Sequence, residues 1–121
     1  MPRVTFFEIP ADDPQRAISF YEQAFGWKVD KWGSQDYWLV TTGEEGEPGI
    51  NGAIAPRANV AHVVTDTVSV SNLDESVRKA VTAGGKLVMP KMAVPTMGWL
   101  AYCMDPEGNL FGLMQSDPSA H

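Results

Sequence analysis

The 121-residue sequence is poor in the residues that carry much of protein chemistry, with one cysteine, Cys103, and two histidines, His62 and His121. A single thiol cannot form an intramolecular disulfide or a thiolate-clustered metal site, which fits a reducing compartment. Set among Leu100, Ala101, Tyr102 and Met104, it reads as a core thiol. Positive charge is also scarce. Nine Lys and Arg against fifteen Asp and Glu leave a formal charge of −6, the opposite of the basic stripe that phosphate backbones or anionic lipid surfaces require. Neither nucleic acid nor membrane is therefore an expected partner. No apolar run approaches the roughly 20 residues of a spanning helix, and Met1-Pro2-Arg3-Val4 begins no secretory apolar segment, so a cytoplasmic location is expected. There is no defensible Ser-His-Asp or Cys-His constellation, and no glycine-rich phosphate loop between a strand and a helix.

What is present is enough apolar material, 44% of residues with 10% aromatic, for one sizeable core and a single domain over residues 1–121. Val4 to Ile9 reads as a strand ended by Pro10. Asp13 is an N-cap for a helix from Pro14 to Phe25, whose Ala17, Ile18, Tyr21 and Phe25 form one apolar stripe before Gly26 closes it. Strands are expected at 27–32, 37–42 and 50–54, with an acidic turn at 43–49. The order then repeats. A strand at 65–71 precedes the cap Asn72 and a helix from Leu73 to Ala83, with Leu73, Val77, Ala80 and Val81 on one face and Gly84-Gly85 at its end. Strands at 86–89, 98–104 and 110–115 complete the second set, the last two joined by the tight turn Asp105-Pro106-Glu107-Gly108-Asn109. Asp13 and Asn72, Gly26 and Gly85, and Ile18 and Val77 are each 59 residues apart, which points to duplication of one unit.

The expected fold class is therefore α+β, two tandem βαβββ modules spanning about 1–57 and 62–117. Each sheet has one helix to cover one face, so curved sheets around a central pocket are the expected solution.

Asp13-Pro14-Gln15-Arg16-Ala17-Ile18-Ser19-Phe20-Tyr21 with Phe25-Gly26-Trp27, then Ala83-Gly84-Gly85-Lys86, then Asp105 to Asn109 before the last strand, together resemble the vicinal oxygen chelate superfamily over nearly the whole chain. That superfamily includes glyoxalase I, bleomycin-resistance proteins and extradiol dioxygenases. The resemblance implies the glyoxalase/bleomycin-resistance fold, with Phe20 and Tyr21 holding the first helix to its sheet. It also implies metal ligands, His, Gln or Glu, at places that here hold Val4 or Phe6, Gly52 or Ala53, Thr65 and Gly112. None is a normal ligand, so no metal and no cofactor is expected.

Among polar residues Glu8 stands out. Alternation along the first strand turns Phe7 and Ile9 to the helix and Val4, Phe6 and Glu8 to the other face, where a carboxylate beside aromatics suits a general base or a partner for a cationic or hydroxylated ligand. The plainer reading is a solvated strand-end glutamate, or one paired with Arg3 or a lysine. Candidate ligand contacts are Phe6, Trp38, Thr65, Thr67, Trp99, Tyr102 and Met114, with Tyr37, Met97, Met104 and Ser69 in the wider set. Trp99 is the leading one, because the Pro90 to Pro95 segment before it reads as a loop turning over a cavity mouth. His62 could act as an acid or base, but a lone linker histidine reads more simply as solvent-exposed. Three functions compete: a metal-free binder of a small organic compound, resembling the bleomycin-resistance branch; a glyoxalase-like lyase or isomerase, or a dioxygenase, using Glu8 or a non-standard metal site; and a dimerisation module with a vestigial pocket. A homodimer is expected, since half-open sheets leave edges and apolar surface to pair.

Overall fold

The computed structural model describes residues 1–59 and 62–121. The chain forms two compact units, one of Phe6–Thr65 and one of Asp66–His121 together with Met1–Thr5. Each carries the expected strand, helix and three further strands, so the α+β reading of two βαβββ units holds.

The first contains β1 (Arg3–Ala11, most of which belongs to it), α1 (Pro14–Phe25), β2 (Lys28–Lys31), β3 (Trp38–Thr41) and β4 (Asn51–Pro56). Its strands lie in the order β2-β3-β4-β1, with β1 and β4 parallel. The helix begins where the sequence says, since the Asp13 side chain accepts the Arg16 N–H at 3.2 Å and Pro14 occupies a first-turn position that needs no N–H. It ends at Gly26, whose φ of 71° is left-handed and whose N–H returns to the Glu22 carbonyl. Buried Ile18 meets Ala11, Val40 and Ile54, with Phe7, Ile9, Tyr21, Trp27 and Trp38 packed around them. Gly52 sets the closeness of β1 and β4. It pairs with Phe7, and a Cβ there would run into the Phe7 carbonyl and ring.

The second unit repeats the scheme with β5 (Thr65–Ser69), α2 (Leu73–Thr82), β6 (Lys86–Val94), β7 (Gly98–Met104) and β8 (Leu110–Ser116), in strand order β5-β8-β7-β6. Asn72 caps α2 through the Glu75 N–H at 3.0 Å. Leu73, Val70, Ala101, Cys103 and Leu113 form its buried core, with Val77 and Ala80 against it. No helix among the described residues is long and apolar enough to cross a membrane.

Several expectations need correction. Phe20 does not hold α1 to the sheet: it is exposed, two positions from Ile18 and so turned well away from the inward stripe, with its ring edge-on to Tyr21 at 5.0 Å. Phe25 and Val81, at the last turns of their helices, are likewise exposed. Strand β1 runs through Pro10 to Ala11, α2 stops at Thr82, and β5 at Ser69. The Pro90 to Pro95 segment is no loop, because β6 continues to Val94. As the last strand in its unit's order it tolerates a residue without an N–H, and its pairing with β7 shifts register between Leu87 and Met89 and again before Met92.

Two outcomes follow from this packing. Asp13→Ala removes the α1 cap and should lower unfolding free energy by about 1 kcal/mol, read as a lower urea midpoint with unchanged m-value. Cys103 is fully buried, and burial pushes its thiol above its ordinary value, so thiolate is depleted near neutrality. The folded protein should resist a maleimide that labels the urea-unfolded chain readily; equal labelling of both would contradict this burial.

Candidate functional site

The first unit places a buried carboxylate on the face of its sheet that turns away from α1. With Phe7 and Ile9 packed on the α1 side of β1, Phe6 and Glu8 fall on the face away from the helix. Glu8 pairs with fully buried Ala53, which pairs in turn with Leu39, so these three side chains cross the same face. Glu8 itself is only 8% exposed. A carboxylate so far from water needs donors, and both of its oxygens have one. Tyr37 Oη donates to Oε2 at 3.2 Å, and His62 Nε2 lies 3.1 Å from Oε1.

The His62 proton can be assigned from its other nitrogen. The Ala58 backbone N–H donates to Nδ1 at 3.1 Å, which makes Nδ1 an acceptor and leaves the proton of the neutral ring on Nε2, pointing at Glu8. Because both ring nitrogens are engaged, His62 orients the carboxylate. If a proton is taken from a ligand here, Glu8 must take it.

Parity decides which of the other candidates join this group. Val40 of β3 is buried on the α1 side, so Trp38, two residues before it, lies there too and packs with Ile54 and Ile18. Trp38 is thus a core residue of the helix-facing layer, with Lys31 5.8 Å from its ring centre. The residue before it, Tyr37, reaches Glu8 instead. His62, expected as an exposed linker residue, is mostly buried on Glu8. Thr65 is buried, with its hydroxyl donating to the Val63 carbonyl at 2.7 Å.

In the second unit Ala101, Cys103, Leu113 and Phe111 face α2, and Trp99 lies with them, its Nε1 donating to Asp117 at 2.9 Å. The Ser119 hydroxyl and the Trp99 indole hold the Asp117 carboxyl below its ordinary range. Trp99 is therefore on the opposite side of β7 from Tyr102. On Tyr102's side lies Gly112 of β8, where a Cβ would sit 3.1 Å from Thr67 Oγ1, 3.5 Å from the Tyr102 ring and 3.6 Å from Leu100. Met114, two residues on, shares that face. Thr67, Tyr102 and Met114 thus form one surface of this unit, and Phe6 and Glu8 belong to the other unit.

The place expected to hold the last metal ligand is this glycine, which has no donor and little room for one. Among the described residues no three His, Cys, Asp or Glu side chains gather. Glu8 and His62 supply two donors already bonded to each other, where zinc takes three or more from the protein. The residues present do not fit such an ion.

Residues 5–114 match the family model described as a glyoxalase-like domain. The chain belongs to the glyoxalase-like domain family. Its fold is that of the vicinal oxygen chelate superfamily, as its helix caps and turns imply. This glyoxalase-like chain superposes on methylmalonyl-CoA epimerase from Mycobacterium tuberculosis with a TM-score of 0.68 at 16% identity, over 95% of this chain and 88% of that one. It superposes on a glyoxalase/bleomycin resistance protein/dioxygenase superfamily member from Vibrio splendidus with a TM-score of 0.65 at 14% identity, over 97% and 100%. In sequence it is 27% identical over 118 residues to "Putative glyoxylase CFP32" of Mycobacterium tuberculosis and Mycobacterium bovis. The match covers 92% of this chain but 43% of those proteins, so the glyoxalase-like chain spans less than half the length of the curated relatives it matches.

The Glu8 network predicts its own mutational signature. Glu8→Ala strips the acceptor from two partly buried donors and should destabilise the protein by about 1–3 kcal/mol. Glu8→Gln keeps one carbonyl acceptor and should cost less than half of that. Urea unfolding of both variants tests the order; no loss in Glu8→Ala would show that neither hydrogen bond matters to stability, and an equal loss in both that the Gln carbonyl does not replace the carboxylate.

Proposed function

We propose that this glyoxalase-like domain binds a small organic ligand without a resident metal, in the way of the bleomycin-resistance branch, and that Glu8 is the polar anchor. The observation that carries this reading is the Glu8 carboxylate, buried on a face shared with Phe6, Leu39 and Ala53 and oriented from two sides by Tyr37 and His62. A buried acceptor beside Phe6, Leu39 and Ala53 suits an aromatic or aliphatic ligand bearing a hydroxyl or ammonium group. Gly112 supports the metal-free part, since it leaves the last strand without a donor where the superfamily resemblance implies one.

A second reading has a specific observation behind it. A carboxylate hydrogen-bonded to an imidazole is equipment for moving a proton, and the names of relatives, a glyoxylase and an epimerase, are enzyme names. In that version Glu8 accepts a proton from the ligand and His62 with Tyr37 holds it in place.

The test is a thermal-shift screen of arylalkyl amines and alcohols on the purified protein, alongside metal analysis. A compound that binds through Glu8 should raise the melting temperature of the wild type and lose affinity roughly 10- to 150-fold in Glu8→Gln, the worth of about 1.5–3 kcal/mol for a hydrogen bond to a charged group. Turnover of the bound compound that disappears in Glu8→Gln would move the assignment to the proton-transfer reading. Stoichiometric metal in the purified protein would overturn the metal-free proposal.

A further inference from the structure

The Glu8–His62 contact joins a strand to a turn, and one side chain ties the two together. Arg57 follows β4 directly. Its backbone N–H donates to the Ala11 carbonyl at 2.9 Å, continuing the parallel pairing of β4 with β1 beyond Pro56. Its guanidinium then reaches three acceptors. Nη1 donates to the His62 carbonyl at 2.7 Å, Nη2 to the Pro10 carbonyl at 3.4 Å, and Nε to Asp12 Oδ1 at 3.0 Å. Pro10 lies two residues beyond Glu8 on the same strand. Arg57 thus grips the strand that carries Glu8 and the residue that carries the imidazole.

Within the turn, the Ala58 N–H on His62 Nδ1 and the His62 N–H on the Asn59 carbonyl at 3.0 Å set the ring's position. Neither bond reaches β1. Besides the His62 Nε2 contact with Glu8, Arg57 ties the turn to β1 and the residues just after it, by its backbone to Ala11 and by its side chain to Pro10 and Asp12. A planar fork of five donors can serve a carboxylate and two carbonyls at once; an ammonium on a flexible stem cannot reproduce that spacing. The Arg57–Asp12 pair is too exposed to add much stability on its own, so its value lies in geometry.

We infer that Arg57, steadied by Asp12, is a positioning residue that sets the His62 ring on Glu8 and fixes its Nε2-protonated form. This rests on the reading of Glu8 as the functional anchor, yet its test needs no ligand. In the full chain, nitrogen-15 NMR of the imidazole distinguishes a ring protonated on one nitrogen from a mixture. The wild type should show a single neutral form with the proton on Nε2, and Glu8→Gln should shift the Nε2 resonance. In Arg57→Lys the two nitrogen resonances should move toward each other, and the response to Glu8→Gln should shrink at least twofold, while the far-ultraviolet circular dichroism is retained. Asp12→Ala, which removes only a surface carboxylate, should move the signals the same way by less, and it serves if Arg57→Lys does not fold. An unchanged single form with an undiminished response to Glu8→Gln, in Arg57→Lys or, where that variant does not fold, in Asp12→Ala, would overturn the inference. A ligand screen that fails while these signals behave as expected would instead overturn the anchor reading and leave the positioning role standing.

Discussion

The two-residue alternation of β1, locked in parallel register on β4, is the constraint from which the first unit follows. Shifting that register by a single residue would turn Phe7 and Ile9 out of the core and push Glu8 against α1. Gly52 keeps the register, because only a residue without a side chain lets the Phe7 ring and carbonyl come so close. The same alternation on β3 then sorts neighbours in sequence to opposite duties, Trp38 to the core and Tyr37 to the carboxylate. Apolar burial pays for the fold on one side and leaves the other side available for a polar group with a purpose.

That polar group imposes a second constraint. Each buried donor or acceptor must be matched, and among the described residues no buried side-chain nitrogen or oxygen is left without a partner. Two of the groups that meet Glu8 come from different stretches, Tyr37 just before β3 and His62 in the turn after β4. Each belongs to the same unit as Glu8. These two contacts are thus made by the fold of one βαβββ unit, and they report on that unit's tertiary structure.

How much of this was legible in the sequence depends on the range of the forces involved. Helix starts at Asp13 and Asn72 are set by hydrogen bonds spanning three residues, and the left-handed turn at Gly26 is equally local, so residue type alone revealed them. The face carrying Glu8 was legible for the same reason, since alternation needs no knowledge of partners. Trp38 was misplaced because parity must be counted from a buried reference residue, and Val40 becomes that reference only once β3 pairs with β4. Phe20 was misjudged through resemblance, where angular distance from Ile18 would have placed it outward. His62 could not be read at all from local rules: its ring is set by Arg57, Asp12 and Pro10, and Pro10 and Asp12 lie about 50 residues away in the chain. A Pro inside a strand is also ambiguous until the strand is known to lie at an edge, which is why β6 was taken to end at Met89.

The same geometry ranks the two functional readings. To abstract a proton, one Glu8 oxygen must open toward the ligand, and each oxygen already faces a donor, Tyr37 Oη or His62 Nε2. One of those bonds would have to lengthen as the proton arrives. Relaying the proton onward through His62 would further require Nδ1 to release the Ala58 N–H, breaking the contact that fixes the ring. Anchoring a ligand asks for no proton to move and leaves the Ala58 N–H on His62 Nδ1 in place. A network rigid enough to keep Glu8 where it is therefore serves recognition directly and proton transfer only at the expense of its own hydrogen bonds, which is the physical ground for placing binding ahead of catalysis.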